Sequence, residues 1–177
     1  MKAAALVFAL FSFTSSCLAQ GFLGTRLSED RAVLTLVRAN LAESEAPKFD
    51  DQDVFAKPAV APGGKYAGWL ALYPNRGASY SLPLGVVVID GENRDHQFGG
   101  KFGMVFGWCF DATGDAVALM YQFPHGTTPT GFDLRRIRDG KLLRRHRVDA
   151  ATTDGEETLA KATPGWAQCA LTSSRTQ

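Results

Sequence analysis

The sequence predicts a mainly β domain: two blade-like antiparallel sheet repeats of about fifty residues, with one N-terminal α-helix. Three observations predict it. First, an approximate internal repeat starts near Lys57 and again near Gly107. Gly64 recurs as Gly114, Tyr73-Pro74 as Phe123-Pro124, and Asp90-Gly91 one residue early as Asp139-Gly140. Second, each copy alternates apolar runs of strand length with Gly, Pro and Asp-Gly turn signals. Third, residues 28–43 carry Val33, Val37 and Leu41 at every fourth position, which is helix periodicity.

Taken in order, residues 1–19 read as a secretory signal peptide. Lys2 supplies the positive start, an uncharged apolar stretch follows, and Cys17 and Ala19 place small residues before a cut at Gln20. The apolar stretch is shorter than the roughly 20 residues a membrane-spanning helix needs. The mature chain is then 20–177, exported to the periplasm or secreted, with no transmembrane segment. Cys17 has a second reading as a lipid-bearing cysteine of an envelope lipoprotein, since Thr14-Ser15-Ser16 are small.

Residues 20–56 are expected to form a helix and an acidic connector. Ser28 is a good N-cap and Glu29 and Asp30 suit a first turn. Pro47 stops the helix. Residues 57–177 are expected to form the β-repeat domain, one globular unit with the helix. Strands are read at 66–73, 85–89, 101–110, 116–123, 132–138 and 141–148, with two-residue turns at Asp90-Gly91 and Asp139-Gly140. Residues 150–163 read as loop and 166–171 as a last short strand.

The layout Trp–x–x–Asp–x–x–Gly, then an apolar strand, a loop, a strand and Asp-Gly, resembles a blade of TolB-type β-propeller repeats. The residues that carry it are Trp108, Asp111, Gly114, Ala116-Val117-Ala118-Leu119 and Asp139-Gly140-Lys141. The first copy departs, with Pro58 at the Trp position and Ala61 at the Asp position. The resemblance covers roughly residues 57–148 and implies a binding surface more than a defined active site. Closed propellers need at least four blades, so it also implies either an open array or a ring closed by self-association of a homo-oligomer.

Charge sets further expectations. Removing Lys2 leaves 18 basic against 18 acidic side chains, so bulk charge selects no partner. Its distribution is uneven. Arg135, Arg136, Arg138, Lys141, Arg144, Arg145 and Arg147 crowd a candidate anion-facing hairpin with Asp139 the one acid between positions 135 and 147. A two-residue turn would pair Arg138 with Lys141, Arg136 with Leu143 and Arg135 with Arg144, and like charges directly opposite repel. Acids at 28–53, an anionic envelope component or an unknown protein partner would compensate. Edge protection would also explain the cations. Without interleaved aromatics, nucleic acid is not expected.

Cys109 and Cys169 remain after export and are expected to form a disulfide, worth roughly 4 kcal/mol in the chain-entropy model. Asp50-Asp51-Gln52-Asp53 lacks the glycine and distal glutamate of a calcium loop and reads as a solvated linker. His125, in Phe123-Pro124-His125-Gly126, is a candidate loop site. No catalytic set, metal site or cofactor motif is read from the sequence. The expected function is an exported, non-catalytic binding or interaction protein of the cell envelope. The loops at 74–83 and 124–131 are its contact elements. A small exported hydrolase centred on His125 is the alternative.

Overall fold

A computed structural model describes residues 21–49, 51–77, 79–99, 103–123, 129–149 and 155–175. The expected signal peptide, Cys17 and His125 lie outside the described residues. The chain is mainly β, with three antiparallel sheets followed by two short helices. Strands β1 (Phe22–Leu27), β2 (Leu34–Arg38) and β3 (Glu43–Glu45) form the first sheet. Strands β4 (Val54–Val60), β5 (Tyr66–Tyr73), β6 (Leu82–Asp90) and β7 (Asp95–Phe98) form the second. Strands β8 (Met104–Phe110), β9 (Ala116–Gln122), β10 (Thr130–Arg136) and β11 (Leu142–Val148) form the third. Helices α1 (Glu156–Ala162) and α2 (Gln168–Arg175) close the order. In each sheet the strands are hydrogen-bonded in chain order.

Period-two alternation in strands sends successive side chains to opposite faces, and the sheets stack through those faces. Phe22, Leu34 and Leu36 of the first sheet pack on Phe55, Trp69 and Ile89 of the second. The opposite face of the second sheet, with Leu70, Val86 and Val88, meets Val105, Trp108 and Leu119 of the third. The far face of the third, with Ala118, Met120 and Phe132, is covered by Ala167, Ala170 and Leu171 from the helical segment. The first six residues of β5 are buried without a break, because the second sheet is covered on both sides. Each fully buried large apolar side chain in these seams contributes roughly 1.5–3 kcal/mol.

The repeat is visible in the turn bonds. In the second sheet Ala61 N–H donates to Tyr66 O and Gly64 N–H to Ala61 O, both at 2.9 Å. In the third, Asp111 N–H donates to Ala116 O at 2.9 Å and Gly114 N–H to Asp111 O at 3.0 Å. Gly64 and Gly114 have φ of 71° and 75°. The Asp111 carboxylate of the resembling motif accepts from Ala116 N–H at 2.9 Å and from the Thr113 hydroxyl at 2.7 Å. That side-chain cap is absent in the first copy, where Ala61 stands.

Four expectations are corrected. Residues 28–43 are not a helix. Ser28 and Asp30 build a tight turn instead: Val33 N–H donates to Ser28 Oγ and Ala32 N–H to Asp30 Oδ1. Arg31 and Leu41 adopt positive φ, 59° and 63°, as the two hairpins around β2 require. Leu34, Leu36 and Arg38 alternate inward, so the period of two prevails where β-branched Val33, Thr35 and Val37 favour a strand. At the other end, the expected strand at 166–171 is helical and the expected loop at 150–163 contains α1. Gln168 ties the two helices together, donating to the carbonyls of Ala160 and Thr163, each at 2.8 Å. The basic hairpin takes a longer turn than two residues. Arg136 N–H bonds Lys141 O, and the register becomes Leu134↔Arg144, Asp133↔Arg145 and Arg135↔Leu142.

Candidate functional site

A cleft of about 1070 Å³ opens along the first strands of the two repeats. One wall is β4 from Ala56 to Val60 and the other is β8 with Met104, Phe106 and Phe110. The β5–β6 loop brings in Tyr80, which is 62% exposed. Ser173 and Ser174 of α2 and Leu27 and Arg31 of the first hairpin also line it. The walls are therefore apolar, and the charged residues on them are Arg31 and Lys57.

Lys57 is the hub of this site. It sits where the β4–β5 register shifts between Ala56 and Ala59, with φ of 48°. A left-handed backbone at a non-glycine residue costs of order 1–3 kcal/mol and persists only where its surroundings impose it. Here three bonds impose it. The Lys57 ammonium donates to Phe106 O at 3.0 Å and to Ser173 O. Its own carbonyl accepts the Trp108 indole N–H at 3.1 Å. One side chain thus clips the second sheet, the third sheet and the end of α2, where the helix dipole favours a cation. Desolvation holds its pKa below the usual lysine value, since burial disfavours the charged form.

The chain approaches closely around this hub. A Cβ on Gly107 would lie 2.0 Å from Ala170 O, and one on Gly68 would lie 2.8 Å from the Trp108 ring. A disulfide joins Cys109 of β8 to Cys169 of α2, with Cα atoms 5.8 Å apart. The expected cysteine pair is therefore present, and it fixes α2 against the free edge of β8. Pro58 and the local bulge interrupt the free edge of β4, a usual protection against pairing by another strand.

The basic hairpin forms a second polar centre. Asp133 is 3% exposed. Arg145 grips it with two parallel bonds of 2.8 Å, and Arg135 Nη2 adds one of 2.9 Å. Burial pushes the Asp133 carboxyl up, but the Arg145 and then the Arg135 hydrogen bonds outweigh it and hold it below the usual carboxylate range. Tyr121 lies over Gly131 across the β9–β10 ladder, where a Cβ would come within 2.3 Å of its ring. Its hydroxyl reaches toward Asp133 at 3.4 Å. Arg136 pairs with Asp139 at 2.9 Å, with Arg138 at 3.9 Å from the same oxygen. The acids that balance this hairpin are its own, not those of residues 28–53. Lys141, Arg144 and Arg147 make no ion pair among the described residues.

The remaining candidates fall into structural roles. Lys48 Nζ donates to Asp53 O and the Ser81 hydroxyl to the Asp53 carboxylate, each at 2.8 Å. Among the described residues no three His, Cys, Asp or Glu side chains gather to hold a metal ion. His96 stands edge-on to Tyr66, and His146 Nε2 lies 3.0 Å from Ala162 O. Sequence reasoning singled out the loop that carries Tyr80 but missed Arg31, Lys57 and Phe106. The available signal was a lone lysine before proline in an otherwise apolar strand. No protein-family model matches the chain, and no curated protein matches it in sequence.

Proposed function

We propose that this chain is an exported, non-catalytic binding protein of the cell envelope, whose ligand seats in the cleft between β4 and β8. The observation that carries the reading is that cleft: about 1070 Å³ of mostly apolar concavity walled by two successive repeats, on the scale of small-molecule sites. The Cys109–Cys169 bond is compatible with an oxidising compartment. Among the described residues no helix is long and apolar enough to cross a membrane. A TolB-type ancestry for the two four-stranded sheets belongs to the same reading, and the matched turn bonds at Gly64 and Gly114 support it.

The test uses N-phenyl-1-naphthylamine, a neutral apolar dye that brightens in dry sites. The oxidised mature protein should bind it saturably, one per chain. Tyr80→Glu and Phe106→Ser should weaken binding while leaving the melting temperature within a few degrees. Dye binding that neither substitution alters would show that the cleft is not the site.

A further inference from the structure

We infer that the cleft selects an amphipathic small molecule with an apolar body and a single anionic group, in the first instance a long-chain carboxylate. This rests on the cleft being the binding site.

Charge complementarity carries the inference. The lining contains two cations, Arg31 and Lys57, and no aspartate or glutamate. Neither cation forms an ion pair among the described residues. An ammonium has three N–H donors, and Lys57 uses two of them on Phe106 O and Ser173 O. Both acceptors are neutral carbonyls, so no described carboxylate neutralises its positive charge on a mostly apolar wall. In such a setting the effective dielectric falls, and attraction for an anion strengthens over its value in water. Arg31 lies on the β1–β2 turn and is exposed, so it suits the mouth of the cleft. Its planar fork matches a carboxylate.

The body of the ligand follows from the other residues. Leu72, Tyr80, Met104, Phe106 and Phe110 offer side-chain surface rather than hydrogen-bonding groups. Met104 adds an adaptable, unbranched contact. An extended peptide would instead seek a free strand edge. Here Pro58 interrupts β4 and α2 lies against β8, so neither edge offers a regular ladder. An apolar chain needs none.

The experiment compares 11-(dansylamino)undecanoate with its methyl ester on the oxidised mature protein, beside the neutral naphthylamine dye. The carboxylate should bind at least about tenfold more tightly than the ester, the scale of one hydrogen bond to a charged group. Arg31→Gln should cut that preference severalfold without lowering the melting temperature. Lys57→Met should abolish it. Because Lys57→Met also removes a structural clip, the Arg31 variant keeps the claim testable if that protein misfolds. Equal binding of acid and ester, with the neutral dye still bound and still sensitive to Tyr80→Glu, would overturn the anion preference and leave the cleft standing. Loss of dye binding to the cleft would remove the site itself.

Discussion

Gly64 and Gly114 do the same thing in successive sheets: each presses a left-handed turn against the backbone of the unit before it. A Cβ on Gly64 would lie 2.6 Å from Phe22 O, and one on Gly114 would lie 2.6 Å from Pro62 O. The left-handed backbone alone costs an alanine roughly 1–2 kcal/mol, and the carbonyl clash adds to it. Gly64→Ala and Gly114→Ala should therefore each destabilise more than Gly140→Ala. Gly140 has φ of 66° but open space around it. Urea melts of the three variants measure this. Equal losses would show that the stacking contact contributes nothing.

The Cys109–Cys169 bond ties α2 to β8. Cys109→Ala should lower stability by roughly 2–5 kcal/mol. Purified, unreduced mature protein should take up no thiol reagent. Two equivalents per chain would contradict the bond.

Asp133 holds two arginines, and its depressed pKa makes a pH prediction. A carboxylate whose folded pKa lies below the unfolded value contributes stability that is complete above the unfolded value, about pH 4. That contribution fades as pH falls through the folded value. The stability gap between the native protein and Asp133→Asn should thus be constant near neutrality and narrow below about pH 4. Arg145→Gln should cost about 2 kcal/mol, less than a fully orphaned buried charge because Arg135 remains. Arg144→Gln should be nearly neutral. Acid titration monitored by circular dichroism separates these outcomes.

Lys57 gives the same slope from the opposite cause, since burial disfavours its charged form whereas hydrogen bonds favour that of Asp133. The folded pKa of Lys57 is depressed below the ordinary 10.5, so the unfolded chain binds the extra proton between the two values. Stability relative to Lys57→Met should rise as pH climbs through the folded pKa toward 10.5. A flat difference over that window would show that burial does not perturb the ammonium.

On the proposed export of this chain, the mature protein should begin at Gln20. Intact mass decides between this and a lipid-bearing Cys17, which would make the protein an anchored one.

The parts of the fold that the sequence made legible are those where local chemistry and burial agree. Tyr66–Tyr73 and Ala116–Gln122 are apolar runs between glycine turns, and they are strands. Residues 28–43 carried two periods at once. Leu34 and Leu36 at a spacing of two are buried against the second sheet, while Leu41, at the helical spacing from Val33 and Val37, is 74% exposed. Only the neighbouring sheet decides between them. Ala167, Ala170 and Leu171 show helical spacing and are buried against the third sheet, but a run of six residues is too short for its period to decide between helix and strand. The expected two-residue turn at Asp90-Gly91 is also longer: Asp90 ends β6 and its N–H bonds Arg94 O, the residue with positive φ is Asn93, at 64°, and Asp90 Oδ1 accepts from the N–H groups of Glu92 and Arg94. Lys57 left one local signal, a lone lysine before proline in an apolar strand, but its partners Phe106 and Ser173 are remote in sequence, so the signal did not point to a site.

The three apolar seams share no buried residue. The interior is therefore compartmented, and damage in one compartment is contained there. A cavity cut at Leu34 and another cut at Phe132 have no common neighbour through which to reinforce each other, so their costs should sum. The wall of the cleft borders the middle seam through Leu70 and Trp108. It touches the outer seams through the partly buried Leu27, Val60 and Cys109, while the fully buried cores of those seams lie away from it. Residues lining the cleft can be exchanged against a stability reserve held elsewhere in the stack, so the lining can drift while the fold stays where it is.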